Sequence, residues 1–485
     1  MSITKIVMAS PRNWTEGGIQ KWGVRRPGLV VIYMLTLVLS IEGFAQTTAE
    51  NDQLLRQEMA YHTGVLAYIY GYPLVHMQQR MHNDTHRVDP NQSRYAAVNR
   101  FYQSEALATP ETAGTLRAPN SDTLYFAGWF DLRKEPVILH NPDTLGRYFT
   151  MAVTNQWAEV IHLGRRTTGT KEQYHALVGP GWEGELPADV TAVEMDTFIV
   201  WVLGRLLVDG KEDEAASLIM QNQFWASPLN TWNRGRPLPK ASEKSGVAMN
   251  VLGSLDYFAV MNSALRSNPR RPDEAALMSQ FNDIGIGPDE VFQKDNLDPD
   301  TKAGLERAIV DARKLIRAST ARTIPQVNRW MISRKIGRYG HDYLQRAATV
   351  AGGYGNLPEE SLYAATLFDQ HSGMLQGSKR YRIHFAADQL PPVDGFWSFS
   401  VYRVEDSNWE KNSMQRYGLG DRTAGLQYGE DGSLILQIQH EEPDEGLSNW
   451  LPAPQGGFYI ILRLYEPQDA LLDGSYEIPP VEITD

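Results

Sequence analysis

The 485-residue sequence has no cysteine. That removes thiolate nucleophiles, Cys-ligated zinc, iron–sulfur clusters and disulfide staples from consideration. A chain of this length buries enough apolar surface to fold without them. Positive charge is also in short supply. The 46 Lys and Arg stand against 58 Asp and Glu, a net charge of −12, so neither nucleic acid nor anionic lipid is an expected partner. The G-x-S-x-G elbow, the Rossmann and P-loop glycine patterns and the His-Glu-x-x-His signature are all missing, and no cofactor or metal is expected. After the first 45 residues no apolar run reaches 18, so nothing there reads as a membrane span.

Residues 1–45 read as a secretory signal peptide. Lys21, Arg25 and Arg26 precede an apolar run of eleven, Leu29 to Leu39, and Gly43-Phe44-Ala45 places small residues at a cleavage site. Removing this segment takes five basic and two acidic residues and moves the net charge from −12 to −15. The expected location is the periplasm or the cell surface.

The remainder changes texture three times. Residues 46–117 read as two helices meeting at Tyr70-Gly71-Tyr72-Pro73, because proline inside a helix kinks or breaks it, followed by a loop. Residues 118–209 read as strands and turns, the pattern of an antiparallel sandwich or barrel. Residues 210–376 read as helical, including "RPDEAALMSQF" and "PEESLYAATLFDQ", with a loop over 234–246. Residues 377–485 return to strands. The expected fold class is α+β, with two antiparallel β-sandwiches, a helical region between them and an N-terminal helix pair.

The two strand regions echo each other. "GWEGELPADVTAVEMDTFIVWVLGRLLVDG" and "NWLPAPQGGFYIILRLYEPQDALLDG" both run from Trp through Leu-Pro-Ala to an apolar strand holding one arginine, Arg205 or Arg463. Each arginine lies an odd number of residues after a phenylalanine, Phe198 or Phe458, so on a regular strand it faces the opposite way. "GRYFTMAV" pairs with "GFWSFSVY". An ancient duplication predicts the same strand order in both regions.

The candidate chemistry starts at Pro119-Asn120-Ser121-Asp122-Thr123. Asn120 and Asp122 suit an Asx turn, and Pro119 favours an extended Ala118. The aromatic strand that follows, with Tyr125 near its start, opens at the mouth of a sandwich, where ligands often sit. The turn of the second half, Pro391-Pro392-Val393-Asp394-Gly395, also has an acid before an aromatic strand. Asp122 paired with Asp369, which sits at an expected helix end beside His371, could supply acid and base for a glycosidic bond. Arg416 and Tyr417, in a loop after Asn412, and Trp450 are candidates for ligand contact. His76, His82 and His86 read as loop or surface histidines rather than metal ligands.

The motifs "YGYP", "PNSDTLY", "WFDL", "GRYF" and "RTTG" resemble the N-terminal domain of unknown function numbered 1254. "LQRAATVAGGYGN", "DQHSGMLQGSKRYRIHF", "LPPVDGFWSFSVY", "NSMQRYGLG", "NWLPAPQGGFYIILRLYEP" and "LDGSYEIPPVE" resemble its usual partner, numbered 1214. The resemblance implies an exported or envelope protein with two jelly-roll sandwiches plus helices. It carries no established reaction and no catalytic residues. Two readings follow. One is an envelope protein that binds, and hydrolyses, a polar or glycan-like ligand. The other is a cell-surface assembly module, for which a flat, symmetric apolar face joining copies of the chain would be the mark.

Overall fold

The computed structural model describes residues 27–484 apart from 90, 91, 93, 115, 116, 233–242 and 323, with the side chains of 27–49 and 320–322 also outside the description. The side chains of the segment read as a signal peptide, and most of the loop read over 234–246, therefore lie outside the described residues. Contacts divide the chain at Arg56: residues 27–56 are helical within the first unit, and Gln57–Asp485 forms the second.

The expected N-terminal helix pair is replaced by one helix, α1 (Pro27–Thr85), which runs through Pro73. Proline removes one backbone hydrogen bond, but Tyr68, Tyr70, Leu74, Val75 and Met77 around it are all buried, and that packing holds the helix together. The helical layer adds α2 (Glu214–Gln221), α3 (Asp256–Ser267), α4 (Ala275–Asn282), α5 (Pro299–Arg322) and α6 (Tyr343–Ala351). In α3, Tyr257, Phe258, Met261, Ala264 and Leu265 are buried at helical spacing and share one core with α1, α5 and Phe281 of α4. Pro272 opens the turn before α4, as its position predicts.

The first strand region comprises β1 (Tyr102–Gln103), β2 (Thr123–Asp131), β3 (Val137–Asn141), β4 (Phe149–Thr154), β5 (Val160–Gly164), β6 (Gln173–Val178), β7 (Val190–Glu194), β8 (Ile199–Leu207) and β9 (Trp225–Pro228). The second comprises β10 (Gln326–Val327), β11 (Trp330–Ile332), β12 (Ser361–Thr366), β13 (Arg380–Phe385), β14 (Val393–Arg403), β15 (Leu419–Gly420), β16 (Leu434–Gln439), β17 (Trp450–Pro452), β18 (Phe458–Pro467) and β19 (Glu482–Thr484), with α7 (Asp469–Asp473) after β18.

The strand orders coincide. One sheet of the first region contains β2-β8-β4-β5, and one sheet of the second contains β12-β18-β14-β15. The companion sheets read β7-β6-β3-β9 and β17-β16-β13-β19. The exception to antiparallel pairing recurs too: β6 with β7 and β16 with β17 are both parallel. In each region the two sheets share one apolar core. Phe126, Val200 and Val202 meet Val137, Leu139 and Leu177 in the first; Phe399, Ile460 and Leu462 meet Ile383, Leu436 and Ile438 in the second.

Two expectations change here. "PEESLYAATLFDQ" is not helix, because Ser361–Thr366 is β12, the equivalent of β2. Its alanines favour a helix when isolated, but Leu362 and Ala364 are drawn into the second core on alternate positions. The second strand region therefore begins well before 377, and β9 likewise extends the first region past 209. The echo of "GRYFTMAV" with "GFWSFSVY" is real but one residue out if aligned on its glycines. Register pairs Thr150 with Arg205 and Ser398 with Arg463, so Tyr148 matches Phe396 and Thr150 matches Ser398. A slip of one would exchange the two faces of the strand.

Candidate functional site

The turn before β2 forms largely as its residues dictate. Asn120 Oδ1 accepts the Asp122 N–H at 2.8 Å, closing the Asx turn. Ala118 departs from expectation. It sits at φ 48°, not extended, held there by tertiary bonds: its N–H donates to Ser407 O and its carbonyl accepts from Arg463. The Asp122 carboxylate is not spent on its own backbone. It is buried, and it accepts from Ser398 Oγ at 2.5 Å and from Arg422 Nη2 at 3.4 Å, both from the second strand region. Asn120 Nδ2 likewise donates across to the Tyr465 hydroxyl at 2.8 Å.

The counterpart of this turn is not Pro391–Gly395, which leads into β14. It is the segment before β12, where Glu360 takes the place of Asp122. Glu360 is 1 % exposed and accepts from Tyr148 Oη at 2.8 Å and Arg166 Nε at 3.0 Å, both from the first region. The Thr150 hydroxyl, opposite number of Ser398, bonds His162 Nδ1 at 3.0 Å. Each region thus offers one carboxylate to a hydroxyl and an arginine of the other. The two arginines lie in matching loops, Leu163-Gly164-Arg165-Arg166-Thr167-Thr168-Gly169 and Leu419-Gly420-Asp421-Arg422-Thr423-Ala424-Gly425. The glycine of each loop is required by close approach. A Cβ on Gly164 would lie 2.3 Å from Phe149 O, and one on Gly420 would lie 2.1 Å from Trp397 O.

Arg205 and Arg463 face each other's region from equivalent strands. Tyr125 and Thr150 flank Arg205 in register, and Tyr363 and Ser398 flank Arg463. Phe458 enters the core, so Arg463 on the opposite face reaches the junction, as the odd spacing predicts. Arg463 is saturated: it donates to Ser400 Oγ (3.2 Å), Ala118 O (3.0 Å), Pro119 O (3.1 Å) and Tyr402 Oη (2.7 Å). Arg205 is not. Nε donates to Tyr125 Oη at 3.4 Å, and Nη1 is buried with no hydrogen-bond acceptor in the protein. The positions that hold Ser400 and Tyr402 in β14 hold Ala152 and Thr154 in β4.

The electrostatics follow from this packing. Burial pushes the Tyr125 phenol up, but the charge and hydrogen bond of Arg205 outweigh it, and the net direction is down. His162, on β5, is pushed down to about 3, first by burial and then by Arg166 and Arg205. Burial raises Glu360 against the pull of its donors. Tyr125, Arg205 and Tyr363 keep partial solvent contact, whereas Arg463 and Tyr465 keep almost none.

The other sequence candidates lie apart. Asp369 is 2 % exposed in a tight turn after β12, where its carboxylate accepts the N–H of His371 (2.9 Å) and Gly373 (2.8 Å). It terminates no helix, and it shares no partner with Asp122. Arg416 is spent on backbone, with Nη1 donating to Leu447 O, Ser448 O and Trp450 O. Trp450 is buried in β17 and donates to Gln439 O. Tyr417 stacks on Trp409 at 5.3 Å. His82, in the last turn of α1, and His86, just past its end, stack at 4.4 Å, each bonded to a backbone carbonyl, while His76 bonds Tyr354 Oη. No group of metal-binding side chains occurs among the described residues. Sequence reasoning missed Glu360, Arg166 and Arg422. The repeated Leu-Gly-x-Arg-Thr-x-Gly was the signal that could have found the arginines.

Residues 98–228 match the family model described as "Protein of unknown function (DUF1254)", and residues 360–469 match "Protein of unknown function (DUF1214)". No curated protein matches the chain. Among solved structures, the VPA0106 protein from Vibrio parahaemolyticus is 24% identical with a TM-score of 0.68, covering 88% of this chain and 100% of that one, and it shares the fold. A putative uncharacterized protein from Burkholderia cenocepacia is 14% identical, with a TM-score of 0.42 over 93% of this chain and 98% of that one. Asp122, Tyr125, Thr150, Arg166 and Arg205 fall in the first matched region, and Glu360, Tyr363, Ser398, Arg422 and Arg463 fall in the second. The chain joins a DUF1254 region to a DUF1214 region, with Arg205 in the first and Arg463 in the second.

Proposed function

We propose that this is an exported protein of two duplicated β-sandwiches that binds a small anionic, hydroxyl-bearing ligand at Arg205. One observation carries the reading: Arg205 occupies the place of Arg463 without the acceptors that saturate Arg463. A buried guanidinium N–H without an acceptor is costly, and an anionic oxygen is the acceptor that also offsets the charge. Tyr125 and Tyr363 stand beside it with phenols suited to a ligand's hydroxyls. Export is supported by the sequence pattern of residues 1–45. Binding is preferred to hydrolysis because Asp122 and Asp369 are bonded to separate partners, and Asp122 already links the two regions.

Calorimetric titration with glucuronate, acetate and inorganic phosphate tests the proposal. Glucuronate should bind best, and Arg205→Met should weaken it at least about tenfold. Arg416→Ala should leave binding unchanged. Undiminished binding by Arg205→Met, or no binding of any of the three by the parent protein, would refute the proposal.

A further inference from the structure

A second group of unsatisfied donors lies in the helical layer, away from the junction of the strand regions. Arg346, on α6, is 0 % exposed, and its Nε, Nη1 and Nη2 all lack a hydrogen-bond acceptor in the protein. Its guanidinium carbon lies 5.0 Å from the ring centres of Trp157 and Tyr343 and 5.7 Å from that of Tyr70. Those rings satisfy the faces of the cation but not its N–H edges. Arg271 approaches the same tryptophan at 5.1 Å, and its Nη1 is likewise without an acceptor.

The buried carboxylate in this group is already engaged. Glu274, 2 % exposed, accepts from Tyr70 Oη at 2.6 Å and Tyr343 Oη at 3.2 Å, with Arg271 Nε 3.6 Å away. Glu159 pairs with Arg271 at 3.9 Å from a side chain 29% exposed, where water screens it. The group therefore sets two guanidiniums against two carboxylates, Arg346 and Glu274 buried, Arg271 and Glu159 part-exposed, and no carboxylate accepts from Arg346. Burial pulls the Arg346 pKa down, the direction for a cation whose charge is incompletely offset.

We infer that Arg346 and Arg271 form a binding site for a small monocarboxylic acid, separate from Arg205. All the unsatisfied atoms are donors, so the occupant must accept hydrogen bonds. A planar two-oxygen acceptor fits a guanidinium fork, and a single negative charge pairs Arg346, whose N–H groups no carboxylate of the protein meets. A phosphate dianion would bring more charge than the group can neutralise beside Glu274. Trp157, Tyr70 and Tyr343 would surround the acid's apolar portion. Arg271 and Glu159, both part-exposed, form the rim through which it enters.

The test uses the full chain. Small acids are extracted from purified protein and identified by mass spectrometry, and stripped protein is titrated with acetate, benzoate and inorganic phosphate. A carboxylic acid should be recovered in stoichiometric amount, and benzoate should raise the melting temperature where phosphate does not. Arg346→Lys should weaken benzoate at least about tenfold, and Arg416→Ala should not. If Arg346→Lys does not fold, a high-resolution crystal structure of the parent protein decides. An acid on the Arg346 nitrogens supports the site. Ordered water alone there, with no acid extracted, overturns it, as does a preference for phosphate.

Discussion

The two strand regions are built to one plan, but only the second completes it. Both align a tyrosine, an arginine and a hydroxyl residue across three neighbouring strands, and both send a carboxylate to the other region. In the second, Ser400 and Tyr402 complete the shell of Arg463, and the backbone of Ala118 and Pro119 crosses over to meet it. In the first, Ala152 and Thr154 leave Arg205 short of acceptors. A repeated element can hold its structural role in one copy while the other is released to bind something else. Here Arg463 joins the regions, and Arg205 is the copy with donors to spare.

The largest test of this contrast is Arg463→Met. It strands Ala118 O and Ser400 Oγ at a buried junction, though Tyr402 Oη still donates to Pro119 O, and the unfolding free energy should fall by about 3–5 kcal/mol in urea titration. A loss below about 1 kcal/mol would show that Arg463 does not join the regions. Glu360→Gln comes next. It keeps the shape but removes the charge facing Arg166, and should lose about 2–3 kcal/mol; Asp122→Asn, whose arginine partner is at 3.4 Å, should lose less.

Acid should act on the first region in particular, because His162 has a glycine, Gly418, as its counterpart. His162 stays neutral in the folded protein down to about pH 3, whereas in the unfolded chain it titrates near 6.5. Below 6.5 the unfolded chain binds the extra proton, so stability falls as pH falls. Between pH 7 and pH 5 the contribution is about 2 kcal/mol. His76, pushed down to about 4 by burial, adds to it in the same direction, and the raised carboxyl of Glu360 opposes it. His162→Gln isolates the term: the stability difference between pH 7 and 5 should shrink by that amount. An unchanged slope would mean that His162 is not held neutral.

The smallest expected effect sharpens the comparison most. Ala152→Ser gives Arg205 the hydroxyl that Ser400 gives Arg463. It should raise stability by about 0.5–1 kcal/mol and weaken the ligand proposed for Arg205. A destabilised Ala152→Ser protein would show that the two junction faces are not interchangeable at this position.

Much of this was legible before folding. Asn120 closes its turn through a contact two residues long, which local chemistry fixes. The strand character of β14 and β18 was readable, and so was the recurrence of one arginine per strand, but β14 is buried on both faces from Phe396 to Tyr402. Other features were not readable. "PEESLYAATLF" has a helix-favouring composition, and it becomes a strand only because β18 is there to pair with it. Arg416 in its loop resembled a ligand contact until three carbonyls from residues 447–450 claimed it. Pairing Asp122 with the acid before β14 failed because the alignment of repeats rests on register, which sequence spacing approximates and loops of unequal length disturb.

The sequence by itself determined the chemistry available to this protein. It has no thiol and no assembled metal or nucleotide motif, and it carries two strand regions with a shared pattern. Those properties follow from residue type and period, which need no partner. Only the tertiary structure decided which arginine is satisfied, that Ala118 takes a left-handed conformation, and that Glu360 rather than Asp394 answers Asp122. Each depends on groups brought together from more than 200 residues away, where burial removes the competing water and makes the presence or absence of a single acceptor decisive.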